Sequence, residues 1–85
     1  MPDLYARVRE VVEDYFRGAG VAVDPSALTP ELDLLDSGLI DSTSFLELVA
    51  MLEERLGIGI DFLEVDPAAM TTLSGIARSL AALHA

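Results

Sequence analysis

The chain has 85 residues and a mass of 9.1 kDa, enough for one hydrophobic core and no second domain. Fifteen acidic residues against five arginines give a formal net charge of −10, which strongly disfavours nucleic-acid binding because phosphates need a basic surface. No run of about 18 apolar residues is present to span a membrane, and no signal peptide is evident. With no cysteine there is no disulfide and no thiolate metal site, which fits the reducing cytoplasm where we expect the protein.

A first helix is predicted from the N-terminus to about Gly18. Pro2 and Asp3 suit its first turn, because Pro needs no hydrogen bond there and an acid meets the positive end of the helix dipole. Apolar residues then recur at helical spacing and predict one buried face: Leu4, Val8, Val11, Val12, Tyr15 and Phe16.

Residues 18–41 show no sustained periodicity, and Pro25, Pro30 and Gly38 interrupt their apolar residues. Thr29 is a candidate cap for a single short turn. A connection of this length without regular structure is uncommon in a small domain and points to function. Because it carries eight Val, Leu and Ile residues, we expect it to be pinned across the domain.

The second helix is predicted over 42–56 and ends at Gly57. At about 100° per residue, one arc forms a core face of Phe45, Leu48, Val49, Leu52 and Leu56. The opposite face carries Thr43, Leu46, Glu47, Ala50 and Glu54, with Glu53 at its edge. Its apolar members would be out of place on a surface that served only for solvation.

Two further helical segments follow. Asp66-Pro67 predicts a short helical turn, with Asp as cap and Pro at the first position. Thr71 or Thr72 then caps a final amphipathic helix, which Gly75 weakens slightly. The predicted fold is all-α, a small four-helix bundle of three main helices and one short helix with a long first loop, in a single domain over residues 1–85.

The net charge lies in the middle of the chain. Residues 24–66 hold eleven acids and one base, Arg55, whereas the remainder sums to zero. This segment is either a solvated face or a docking surface for basic partners. Crowded carboxylates are expected to have raised pKa values, so the sequence predicts higher stability in salt and on mild acidification toward pH 5.

The residues offer little for catalysis or metal binding. His84 is the single histidine and is expected to be an ordinary surface residue. Asp33 begins a stretch that superficially resembles a calcium loop, but Leu35 and Ser44 occupy ligand positions of that motif, so calcium binding is rejected. We expect no catalytic residues and no metal.

The segment from Gly38 to Ser42 runs directly into the second helix and allows two interpretations. In the first, Asp41 or Ser42 only caps that helix. In the second, the Ser42 hydroxyl at an exposed helix N-terminus is a place for a phosphate ester, which backbone N–H groups and the helix dipole favour.

Three stretches carry a recognisable pattern: LDSGLIDS at 35–42, FLELV at 45–49 and LEERLGI at 52–58. Together with Met-Thr-Thr-Leu at 70–73, the long first loop and the acidity, they make the chain similar to the acyl, aminoacyl and peptidyl carrier protein family over essentially its whole length. The resemblance implies that a phosphopantetheinyl transferase attaches 4′-phosphopantetheine to Ser42. Ser37, in a second Asp-Ser pair, lies within the irregular loop and is not chosen.

The resemblance also implies partners. A loading enzyme and downstream synthases, transferases or modifying enzymes would dock on a surface formed by Asp41, Thr43, Leu46, Glu47, Glu53 and Glu54. Thr43 stands where the family often has Leu or Met, and the Gly-Leu-Ile-Asp-Ser form looks more like discrete carriers of specialised polyketide, non-ribosomal peptide or fatty-acid-type pathways. We expect a free-standing monomer without membrane contact. The alternative is an unmodified acidic helical adaptor that binds a basic partner through helix two.

Overall fold

The computed structural model describes residues 4–84, without the side chain of His84. It contains helices α1 (Leu4–Gly18), α2 (Ser42–Leu56) and α3 (Leu73–His84), with short 3-10 helices at Pro25–Ala27 and Pro67–Met70. The prediction of an all-α fold is confirmed. The helix opening predicted at Pro2 and Asp3, and the expectation for the His84 side chain, lie outside the described residues. No helix between residues 4 and 84 is long and apolar enough to cross a membrane.

Local capping sets the ends of the later helices. Asp66 caps the short helix as predicted, because its Oδ1 accepts the Ala68 backbone N–H at 3.0 Å. Of the two threonines considered for α3, Thr72 forms the cap, and its hydroxyl accepts the Gly75 N–H at 3.0 Å. Helix α2 ends at Gly57, whose φ of 67° is the left-handed conformation that suits a residue without Cβ.

The predicted apolar faces form the core. Helix α1 packs against both α2 and α3. The buried side chains of the three helices are Val8, Val11, Val12 and Phe16 from α1, Phe45, Leu48, Val49 and Leu52 from α2, and Leu73, Ile76 and Leu80 from α3. Leu4, Tyr15 and Leu56 are only partly buried against this cluster. Each fully buried Leu or Val contributes about 1.5–3 kcal/mol relative to exposure, so this cluster dominates the stability of the bundle.

The long first connection is pinned across the domain, as the sequence predicts. Leu28, Leu34 and Ile40 are buried in the core. A hydrogen-bonded turn starts at Thr29 as expected, but the 3-10 helix at Pro25–Ala27 was not predicted. Its signal was present, since Asp24-Pro25 repeats the Asp-Pro cap pattern used before the short helix at 67–70.

Asp33 ties this connection to the start of α3. Its Oδ1 accepts the backbone N–H groups of Leu35 and Asp36 at 3.0 and 2.8 Å, and its Oδ2 accepts the Thr71 hydroxyl at 2.8 Å. The backbone continues the tie, because the Leu34 N–H donates to the Thr71 carbonyl at 2.8 Å. These bonds join two segments that are almost 40 positions apart in sequence.

The prediction that crowding raises the carboxyl pKa values of residues 24–66 is wrong for three aspartates, and the pKa of a fourth, outside that segment, is lowered as well. The Arg55 guanidinium lowers the pKa of Asp14, and backbone N–H donors lower the pKa values of Asp24, Asp33 and Asp41. Hydrogen bonds to the charged form therefore outweigh desolvation at these groups. A carboxyl whose pKa is lowered on folding contributes stability above its unfolded pKa and loses it as pH falls through the folded pKa. These four groups thus give no gain in stability between pH 7 and pH 5.

Gly75 has a packing role that its helix propensity conceals. A Cβ at this position would overlap the carbonyl oxygen of Ala69 and lie 2.8 Å from Thr72 Oγ1. The first turn of α3 therefore approaches the preceding 3-10 helix too closely for any side chain. Gly75 stabilises the fold here, in contrast to the slight weakening expected from the sequence.

We expect Gly75→Ala to destabilise the protein by about 1–3 kcal/mol, because the added methyl group must displace backbone. Helix propensity alone would predict a gain of about 1 kcal/mol. Urea unfolding measures the difference. Gly59→Ala is the matched control, since nothing lies within 4 Å of its Cβ position, and it should be neutral or slightly stabilising. A stabilised Gly75→Ala variant would contradict the close approach.

We expect Asp33→Ala to lower stability at pH 7 by about 1–3 kcal/mol, because two backbone N–H donors lose their acceptor and the Thr71 hydroxyl keeps only the Ala68 carbonyl at 3.3 Å. The difference from the wild type should be constant from pH 7 to 5 and shrink below about pH 4, as the wild-type carboxyl is protonated. Thermal unfolding by circular dichroism checks both. Asp36→Ala, whose exposed carboxylate accepts no hydrogen bond among residues 4–84, is the control. Equal losses in the two variants would show that the tie is unimportant.

Candidate functional site

Ser42 is the first residue of α2 and its side chain is exposed. The capping question that the sequence left open is settled in favour of Asp41, whose Oδ1 accepts the Ser44 backbone N–H at 2.8 Å. Within residues 4–84 the Ser42 hydroxyl makes no hydrogen bond. Its oxygen is consequently accessible and uncommitted at the rim of the bundle.

Asp41 modifies the electrostatics expected at this helix end. Hydrogen bonding to its carboxylate, mainly from the backbone N–H and the hydroxyl of Ser44 and less from the Thr43 backbone, lowers the pKa of Asp41. Asp41 is therefore ionised beside Ser42 at neutral pH. The Ser44 N–H, one of the groups that we expected to favour a phosphate, is thus already bound to a carboxylate. The helix dipole and the other N–H groups of the first turn remain to favour an anion.

Ser37, the serine of the other Asp-Ser pair, is in a different position. Its hydroxyl donates to the Leu34 carbonyl at 3.2 Å and accepts the Leu39 N–H at 3.4 Å, within a turn that includes Gly38 at φ 79°. Esterification of this oxygen would break the donated bond inside the loop. The Ser37 hydroxyl is therefore less available for esterification than the Ser42 hydroxyl. This agrees with the position of Ser37 within the irregular loop.

Two open grooves flank Ser42. One, of about 540 Å³, lies between Ser42 and the end of the first connection at Gly38–Asp41. The other, of about 430 Å³, is predominantly apolar and runs between α2 and the turn at residues 67–71, with Phe45, Leu46 and Phe62 in its walls. Phe62 was missed by the sequence analysis, because it lies in an irregular segment where no periodicity marks its neighbours.

The outward face of α2 carries most of the predicted docking residues. Thr43, Glu47 and Glu54 are exposed, and Leu46 is exposed to 58 %, so an apolar side chain lies among acids next to Ser42. Glu53 is different. Its half-buried carboxylate accepts the Ile60 backbone N–H at 2.8 Å and ties the end of α2 to the following segment.

Helix α1 completes the electrostatics of this face. The Arg55 guanidinium points to α1, where its Nη2 lies 2.9 Å from Asp14 Oδ2 and 4.0 Å from Glu10 Oε1. The single base of residues 24–66 is therefore neutralised by α1 and does not interrupt the acidic face. Tyr15, also on α1, donates its hydroxyl to Glu47 Oε1 at 3.0 Å.

Comparison with known protein families identifies the family of the chain. The family described as "Phosphopantetheine attachment site" matches residues 7–80, which is most of the chain and includes α2 and both grooves. Neither a curated protein nor a solved structure gives a significant match. Domains of this family are in general non-catalytic carriers that work with a phosphopantetheinyl transferase and with pathway enzymes. The chain belongs to the phosphopantetheine attachment-site family, the acyl and peptidyl carrier domains whose members bear covalently attached 4′-phosphopantetheine.

Proposed function

We propose that the protein carries acyl or aminoacyl groups on a 4′-phosphopantetheine arm esterified to Ser42. The observation that supports this most strongly is the Ser42 hydroxyl, which is exposed and makes no hydrogen bond among residues 4–84 because Asp41 provides the helix cap. When attached, the arm supplies a terminal thiol that holds its cargo as a thioester, chemistry that a chain without cysteine does not otherwise possess.

The surroundings of Ser42 fit this group. A phosphodiester needs an accessible oxygen and space on the solvent side, and the two grooves provide that space on either side of the hydroxyl. The groove beside Phe45 and Leu46 is predominantly apolar, which favours an apolar cargo over a charged one because apolar surface leaves water there. The groove lies directly beside Ser42, so a short apolar cargo on the arm would reach it without entering the bundle.

The proposed docking surface comprises Asp41, Thr43, Leu46, Glu47 and Glu54. Exposed ion pairs contribute about 0–1 kcal/mol each, so docking through these acids is weak and fast, as a carrier that visits several enzymes requires. Candidate partners are the phosphopantetheinyl transferase, a loading enzyme and downstream synthases, transferases or modifying enzymes of a specialised acyl or aminoacyl pathway. Glu53 is assigned a structural role, because its carboxylate already binds the Ile60 N–H.

Ser42→Ala should abolish modification when the protein is co-expressed with a broad-specificity phosphopantetheinyl transferase, as measured by intact mass. Because Ser42 does not cap α2, we expect the free energy of unfolding of this variant to stay within about 0.5 kcal/mol of the wild type. Ser37→Ala is the matched control and should gain one phosphopantetheine increment. Modification that persists in Ser42→Ala would contradict the site. An unmodified wild type, under conditions that modify a control carrier, would favour the adaptor.

Charge reversal at Glu47 or Glu54 should slow transfer of the arm while the fold is retained, because both carboxylates lie on the outward face of α2. The measurement is kcat/KM for the transferase. Raised salt should also lower the wild-type rate, since exposed charges are screened over about 8 Å at physiological ionic strength. Glu31→Lys, an equal charge change in the first connection, is the control. Equal effects of all three reversals would show that net charge acts, without a localised surface.

A further inference from the structure

We propose that Tyr15 is a positioning residue for partner docking, whose phenol holds the Glu47 carboxylate in the orientation that a basic partner recognises. The inference rests on the proposed docking surface and extends it to α1, a helix that the sequence pattern assigns only to the core. Its basis is the hydrogen bond of 3.0 Å from the Tyr15 hydroxyl to Glu47 Oε1, which crosses from α1 to α2.

The Tyr15 ring is itself held in place. It lies at the margin of the apolar face of α1, partly buried against the core. It forms a T-shaped contact with the neighbouring Phe16 ring, at a centroid distance of 5.9 Å and an interplanar angle of 67°. Only the phenolic end reaches the outward face of α2. A hydrogen-bond donor on a rigid aromatic side chain has few rotamers to lose, so it is suited to hold the flexible Glu47 side chain in one orientation.

The phenol lies at the end of α2 that carries Ser42. The Ser44 side chain and the Asp41 charge, like Glu47, influence the pKa of the Tyr15 phenol. Both residues are within two positions of Ser42. Burial, and then the bond to Glu47, raises the pKa of the Tyr15 phenol, so the donor proton is present throughout the neutral range. The contact therefore joins the core of α1 to the part of the acidic face that a transferase must approach.

Glu47 and Glu54 differ in this respect. Both carboxylates are exposed on the outward face, but within residues 4–84 only Glu47 accepts a side-chain hydrogen bond, and only through Oε1. Its Oε2 remains available to a cation of a partner. An immobilised side chain has already lost conformational entropy that docking would otherwise cost. Tyr15 should therefore strengthen the contribution of Glu47 and leave that of Glu54 unaffected.

The test is the transfer rate from coenzyme A, measured on the apo-protein with a broad-specificity phosphopantetheinyl transferase. Tyr15→Phe retains the ring and removes the donor. We expect kcat/KM to fall about two- to tenfold through KM, with kcat, helicity and the salt dependence of the rate unchanged, because Glu47 keeps its charge. Tyr5→Phe, which removes the other phenol of α1, is the control and should have the wild-type rate.

A double-mutant cycle separates positioning from a purely structural role. In a Glu47→Ala background, Tyr15→Phe should have no further effect, whereas in a Glu54→Ala background its full effect should persist. An equal effect in both backgrounds would show that Tyr15 acts through the fold, and an unchanged or faster rate in the single variant would show that the phenol does not assist docking. Either result overturns the inference. If Glu47→Ala itself leaves the rate unchanged, Glu47 does not contribute to docking and the inference is overturned, whereas the assignment of Ser42 is tested separately by the mass of the modified protein.

Discussion

The tie between Asp33 and Thr71 is the constraint on which the site depends. It joins the first connection to the start of α3 through the Asp33 carboxylate and through the backbone bond from Leu34 to Thr71. Leu35 follows this tie and forms part of both grooves beside Ser42, and Thr71 lines the apolar one. This contact therefore helps to fix the path of the connection, together with the buried Leu28, Leu34 and Ile40, and with it the groove walls around Ser42.

Local hydrogen bonds determine the direction of the aspartate pKa shifts more than the net charge of the protein does. A charge of −10 on 85 residues suggests general repulsion. The carboxyls of Asp24, Asp33 and Asp41 instead accept backbone N–H groups of turns and caps, which lowers their pKa values. Much of the acidity is thus used to shape an irregular chain, since each aspartate satisfies backbone donors that no helix or sheet satisfies.

A carrier has to combine a firm bundle with an accessible surface, and the helices divide these tasks. Helix α1 has an apolar face in the core, but it also neutralises Arg55 through Asp14 and binds Glu47 through Tyr15. Helix α2 buries one face and exposes the other, with Ser42 at its first turn. Helix α3 needs Gly75 to approach the preceding short helix. The Ser42 hydroxyl, which makes no hydrogen bond among residues 4–84, lies at the start of α2 and borders both grooves.

Periodicity and capping signals determine the helices, because both depend on residues within one or two turns of each other. They correctly predicted the bounds of α2, the Asp66 cap and the core faces, and the resemblance to carrier proteins indicated Ser42, the first residue of α2, as the candidate serine. They did not distinguish Asp41 from Ser42 as the cap, because both residue types suit that position.

Only the tertiary structure decided which distant side chains meet. Asp33 and Thr71 are 38 positions apart, and Tyr15 and Glu47 are 32 apart, so no local pattern relates the members of either pair. The same holds for Gly75, whose effect on stability depends on the close approach of the Ala69 backbone in the preceding 3-10 helix. The direction of the pKa shifts was also decided there, because a charge count carries no information about the few donors within 3 Å of each carboxylate.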